Sequence, residues 1–136
     1  MRWDVVLCRL RPGQHLPLPS APVTVVDAFG PTCAPCKKSL PALLAKKTEL
    51  DAVGAKVVLV AVLGDGETTE QATSALRSWG VDAPFLVDRG EVLRGEIGVG
   101  GLPMTAVIDN GGTLRWIAPP EAPAEDVVSA ARCAVH

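Results

Sequence analysis

The chain has little charge excess of either sign. Its 13 basic residues stand against 15 acidic ones, for a formal net charge of -2 over 136 residues. No run of like charge is longer than the pairs Lys37-Lys38 and Lys46-Lys47, so the sequence offers no electrostatic footprint for nucleic acid or for an anionic membrane. Long hydrophobic runs are missing as well. The longest, Val57 to Leu63, falls far short of the ~20 apolar residues that a transmembrane helix needs. The N-terminal run Val5 to Cys8 is too short for a signal peptide, so the sequence as written predicts neither a membrane segment nor a leader. Zinc chemistry lacks its usual pattern too, because Cys8, Cys133, His15 and His136 form neither a second CxxC nor an HxxxH pair. No metal or other cofactor is expected.

What the sequence does hold is the composition of one soluble domain, with 48% of residues hydrophobic and 21% charged. At this length roughly two thirds of the unfolded chain's surface is hidden on folding, so the core needs no staple. A short strand expected at residues 4–10 leads into a proline-rich irregular stretch, and the ordered domain is expected to span 23–136, with 1–22 as its lead-in. "VTVVDAF" (23–29) reads as a buried strand ended by Gly30-Pro31. A helix follows, with Thr32 as N-cap and Leu40, Leu43, Leu44 and Leu50 on one face; Pro41 lies inside it and bends it. "AKVVLVAVLG" (55–64) is a strand, "TTEQATSALRSWG" (68–80) a helix ended by Gly80, "PFLVD" (84–88) a short strand and "EVLRGEIG" (91–98) one or two helical turns. "MTAVID", the turn "NGG" and "TLRWIA" form a hairpin, and "AEDVVSAARCAVH" (124–136) a final helix. This order predicts an α/β fold: a mixed sheet with helices on both faces.

The chemistry concentrates in "FGPTCAPCKKSLPAL", residues 29–43. Cys33 follows a strand and opens a helix, where unpaired N–H groups and the helix dipole favour a thiolate. Cys36, one turn further in, is expected to be buried and protonated. The pair suits redox exchange, with Cys33 as nucleophile and Cys36 as the resolving thiol. A static bridge over so small a loop restrains the unfolded chain little. Pro35 stiffens the backbone between them, and Lys37 adds positive field.

On these residues the chain resembles the thioredoxin-fold family, and within it the TlpA-like thiol-disulfide oxidoreductases. "VVDAFGPTCAPCKKSLPAL" matches the family's strand, CxxC and helix, with Pro41 as the kink proline five residues after the second cysteine. "GVGGLPMTAVIDNGG" (98–112) is similar to the cis-proline segment. The resemblance covers about 23–136 and implies a thioredoxin-like sheet with an extra strand and helix between Cys36 and Pro103. It further implies that Asp27, six residues before Cys33, takes up the proton of the second cysteine. Pro103 is then the cis-proline, and Leu102 and Thr32 belong to the substrate surface. The partners implied are proteins bearing a cysteine pair, which this protein would more readily reduce than oxidise, and a redox partner protein, with this chain a monomer. TlpA-like proteins usually work outside the cytoplasm, often reducing apo-cytochrome c or copper-site cysteines. Thr32 departs from the tryptophan that usually precedes the first cysteine, so the partner surface is unusual.

Two rival functions can be written. A peroxiredoxin-like peroxide reductase wants Pro-xxx-Thr/Ser-xx-Cys, whereas Pro31 and Thr32 directly precede Cys33. A copper-binding or redox-sensing module would use the soft thiolates, with Met104 the one close additional donor. Cys8 and Cys133 read as buried small hydrophobes, Trp3, Trp79 and Trp116 as core or rim residues, and His15 and His136 as bystanders. Asp65 and Glu67 follow a strand that ends on the CxxC edge of the sheet, where either could tune its acidity.

Overall fold

Strand β1 (Val23–Phe29) sets the plan of the molecule. Its side chains alternate between two apolar surfaces: Val23, Val25 and Phe29 on one, Val26 and Ala28 on the other. A strand buried on both faces belongs in the middle of a sheet. In this computed structural model, which describes residues 22–89, 101–110, 114–119 and 121–135, β1 is the central strand. The five-stranded sheet has the order β3-β2-β1-β4-β5, with β2 at Ala55–Val62, β3 at Phe85–Asp88, β4 at Met104–Asp109 and β5 at Leu114–Ile117. β1, β2 and β3 are mutually parallel, while β4 runs antiparallel to β1 and β5 antiparallel to β4.

Parallel neighbours need crossovers, and helices supply them. Helices α1 (Ala34–Leu44) and α2 (Lys47–Ala52) link β1 to β2, α3 (Thr69–Ser78) links β2 to β3, and α4 (Ala124–Val135) follows β5. All four send apolar side chains to the Val23–Val25–Phe29 face. Leu43, Leu50, Val127, Val128 and Ala131 join Val23 and Val25, and Cys36, Leu40, Ala72 and Leu76 join Phe29. Phe29 also makes an edge contact with Trp79, ring centroids 6.2 Å apart. The opposite face is an apolar layer of its own, with Val26, Val58, Val60, Leu86 and Ala106 buried.

Local rules account for most element ends. α3 starts in a capping box: Thr68 Oγ1 accepts from the Gln71 N–H at 3.1 Å, and Gln71 Oε1 accepts from the Thr68 N–H at 2.9 Å. It stops at Gly80, whose φ of 77° suits the left-handed turn after a helix. The stretch from Cys33 to Leu50 is two helices, not one. Lys46 N–H donates to Leu43 O at 3.0 Å, a tightened final turn, and the Lys46 ammonium lies 3.4 Å from Glu125 of α4 and 3.5 Å from Glu49. Leucine spacing does not register this break, because Leu43 and Leu50 are buried in one cluster on either side of it. Cys133 also departs from expectation: it is an exposed free thiol, on a helix that turns Ala131 and Ala134 inward instead. The strand at 4–10, the lead-in with Cys8 and His15, Trp3, the helical turns at 91–98, the glycines of the NGG turn and His136 lie outside the described residues.

Candidate functional site

β1 and β2 deliver their C-terminal ends to one edge of the sheet, and α1 begins there. Cys33 is the residue that caps α1: its backbone is extended (φ -82°, ψ 104°) and its sulfur accepts from the Cys36 N–H, N to Sγ 3.2 Å. The expected cap, Thr32, sits one residue too early. Its hydroxyl instead donates to Glu67 Oε2 at 3.3 Å. Both residue types can cap, and the turn Gly30–Cys33, closed by Cys33 N–H to Gly30 O at 3.2 Å, decides which of them reaches the free amides. Pro35 stands in the first turn of α1, where its missing N–H costs nothing.

Cys33 and Cys36 form a disulfide, with Cα atoms 5.3 Å apart. Cys33 is half-buried, whereas Cys36 is fully buried in the cluster with Phe29 and Leu40. The outer sulfur is therefore the one that a large partner can reach. Lys37 and Lys38 on the same turn are exposed.

Asp27 is 2% exposed. It lies two residues before Phe29 on the face that α1 covers, directly opposite Leu59 of β2 and Thr105 of β4. Burial pushes its carboxyl up from 3.8 to about 7, against the smaller downward pull of a hydrogen bond from Thr105. Thr105 Oγ1 donates to Asp27 Oδ1 at 2.8 Å. Sequence reasoning missed Thr105; its partner is 78 positions away, and only the pairing of β1 with β4 reveals the contact.

The Leu102–Pro103 peptide bond is cis, and this segment leads into β4 beside the disulfide. A Cβ on Gly30 would meet Leu102 Cδ1 at 3.1 Å and Cys33 Cβ at 3.8 Å, so a glycine lets the two chain segments close on one another. Cys33 and Leu102 accordingly pack on the same cluster. Asp27, Thr32, Cys33, Cys36, Leu102 and Pro103 are thus all at, or just beneath, one edge of the sheet.

Of the two acids weighed after β2, Glu67 reaches the site and Asp65 stays exposed. The Glu67 carboxylate accepts from Thr32 and from the Gly64 N–H at 2.7 Å, and Arg89 Nη1 donates to the Glu67 backbone carbonyl at 3.0 Å. Among the described residues no three His, Cys, Asp or Glu side chains are grouped to hold a metal, and no helix is long and apolar enough to cross a membrane.

Comparison with solved structures gives the same frame. A thiol:disulfide interchange protein of the thioredoxin family from Chlorobium tepidum superposes with a TM-score of 0.67 at 20% identity, covering 84% of this chain and 80% of that one. StoA from Bacillus subtilis gives 0.66 at 19%, covering 79% and 81%. The exposed lipoprotein thioredoxin of Streptococcus pneumoniae gives 0.65 at 25%, covering 81% and 83%. No curated protein sequence matches the chain. The fold is that of the thioredoxin-like thiol-disulfide oxidoreductases, as the TlpA-like resemblance implied. The AhpC/TSA family model matches residues 21–117, a span that runs from the strand bearing the buried acid, through the disulfide, to the far side of the cis-proline hairpin, and the chain belongs to that family.

Proposed function

We propose that this protein reduces disulfides in other proteins by dithiol exchange through Cys33 and Cys36. The observation that supports this most is the asymmetry of the pair: one sulfur half-buried at a helix N-cap, its partner fully buried one turn on. In the reduced protein the Cys36 N–H and the first turn of α1 favour a Cys33 thiolate. That thiolate attacks one sulfur of the substrate disulfide, forming a mixed disulfide and expelling a substrate thiolate, which takes a proton from water. Asp27, as carboxylate, accepts the Cys36 proton. The Cys36 sulfur then attacks Cys33 Sγ, which closes the Cys33–Cys36 bond and releases the second substrate thiolate. That group leaves as a thiol with the proton that Asp27 had taken. Two electrons pass to the substrate, and a second thiol protein must return them to the pair.

Leu102 and Pro103 form the floor on which an extended substrate segment rests, its backbone paired with that of Leu102 and its sulfur against Cys33. Thr32, tied to Glu67, forms the opposite wall. The protein acts as a monomer in this scheme and uses no cofactor.

The test is trapping. Cys36→Ser, mixed with a disulfide-bonded protein, is expected to accumulate a covalent adduct through Cys33 that dithiothreitol releases. An adduct that survives in Cys33→Ser would reverse the roles, and no adduct in either variant would remove the proposal. The family match makes peroxide the alternative oxidant to check. Consumption of hydrogen peroxide at a rate exceeding protein disulfide reduction would favour that chemistry instead.

A further inference from the structure

We infer that Thr105 is a positioning residue for Asp27: its hydroxyl fixes the carboxylate and sets the pH at which that group can take the proton of Cys36. Three observations lead there. Thr105 is the direct cross-strand neighbour of Asp27. Its Oγ1 donates to Asp27 Oδ1 at 2.8 Å. The acid is 2% exposed, so bulk water does not compete well for that oxygen. The bond uses one carboxylate oxygen and leaves the other as the acceptor for a proton.

A hydroxyl that donates to a carboxylate favours its ionised form, opposing the effect of burial. The surroundings leave few other groups for that task. On this face β2 presents Leu59 and Ala61, and β1 itself Val25 and Phe29. α1 presents Cys36 and Leu40, with Lys37 and Lys38 exposed. α4 presents Val127, Val128, Ala131 and Ala134, with Glu125, Asp126 and Arg132 exposed. The other buried carboxylate among the described residues, Asp88, is on β3, two strands from β1. Cys36, a thiol only when the pair is reduced, is on the same side of the sheet as Asp27, and Thr105 is the neutral donor to it.

Thr105 is also two residues past Pro103, on the same strand that begins at the substrate floor. The strand that would receive substrate thus supplies the hydroxyl that anchors the proton acceptor on β1.

The functional consequence rests on the proposed dithiol exchange, but the titration does not. The experiment is a carboxyl-carbon NMR titration of Asp27 in the oxidised full chain, with three substitutions. Thr105→Val is expected to raise the midpoint by about one unit, a tenfold gain in proton affinity. Thr105→Ser, which keeps the hydroxyl, is expected to leave it near the wild-type value. Thr105→Ala also removes the donor and replaces Val if that variant does not fold. In single-turnover reduction of a glutathione mixed disulfide at Cys33, the pH midpoint for release of glutathione should follow the NMR midpoint upward in Thr105→Val. An unchanged Asp27 midpoint in Thr105→Val, or equal shifts in Val and Ser, overturns the inference. Wild-type protein that titrates as described yet never releases glutathione would instead overturn the proposed function and leave the positioning role standing.

Discussion

The sulfur of Cys33 lies 3.2 Å from the backbone nitrogen of Cys36, so the residue expected to react is also the one that caps its own helix. A thiolate at that point gains what any anion gains at a helix N-terminus, a pointed N–H and the positive end of the dipole. In the reduced protein, iodoacetamide alkylation of Cys33 should show a midpoint below ~7.5, against ~8.5 for an unperturbed cysteine. Mass mapping of the first-labelled sulfur checks the assignment. A midpoint near that of free cysteine contradicts it.

Asp27 makes stability depend on pH. Its folded value of about 7 lies above the ordinary 3.8, so between those values the native state holds a proton that the unfolded chain has released. The contribution of Asp27 to stability is therefore largest below about 4, falls as pH rises through the window by about 1.4 kcal/mol per unit, and levels off above the folded value. Urea unfolding of the oxidised wild type should give a lower free energy at pH 8 than at pH 5, by on the order of 2 kcal/mol. Asp27→Asn, whose amide carbonyl can still accept from Thr105, should lose most of that difference. A pH dependence that the substitution leaves intact would assign it to other groups.

Gly30 tests the substrate floor. Alanine there puts a Cβ 3.1 Å from Leu102 Cδ1, and the tip of a leucine can move by a few tenths of an ångström at small cost in stability, under ~1 kcal/mol. The expected result for Gly30→Ala is a raised KM for a protein disulfide and little change in reaction with glutathione disulfide, which needs no extended floor. Equal losses with both substrates would mean that the substitution disturbs Cys33 itself.

Thr68 serves as the contrast, since its role is confined to the fold. Removing its half of the capping box in Thr68→Ala should cost about 1 kcal/mol in unfolding free energy, lower Tm by a few degrees and leave the pH midpoint of exchange where it was. A moved midpoint would show that the β2–α3 loop, through Glu67 and Thr32, acts on the sulfur.

Much of this was legible in the sequence because it depends on neighbours along the chain. The strands at 23–29, 55–62, 85–88 and 104–109 are short apolar runs bounded by turns, and the pairing of CxxC with a helix start follows from Gly30-Pro31 and the residues just beyond. Asp27 was legible through the family resemblance, six residues before Cys33 on an otherwise apolar strand. What escaped depends on geometry that no local pattern encodes. Thr105 meets Asp27 only through a β1–β4 register set by the whole sheet. Thr32 and Cys33 are both capable caps, and a single turn between Gly30 and Cys33 chooses the second. The break at Lys46 leaves the leucine spacing undisturbed, and the outward turn of Cys133 follows from which α4 stripe meets Val23 and Val25, a choice that alanine-rich composition hides.

The most direct measurement is equilibration of the protein in glutathione buffers of graded ratio, with the redox state of Cys33 and Cys36 read by alkylation and mass. A single two-electron transition, reversible in both directions and abolished by Cys33→Ser, is the expected result. A pair that stays in one state at every ratio, or a transition that persists without Cys33, would contradict exchange at this site.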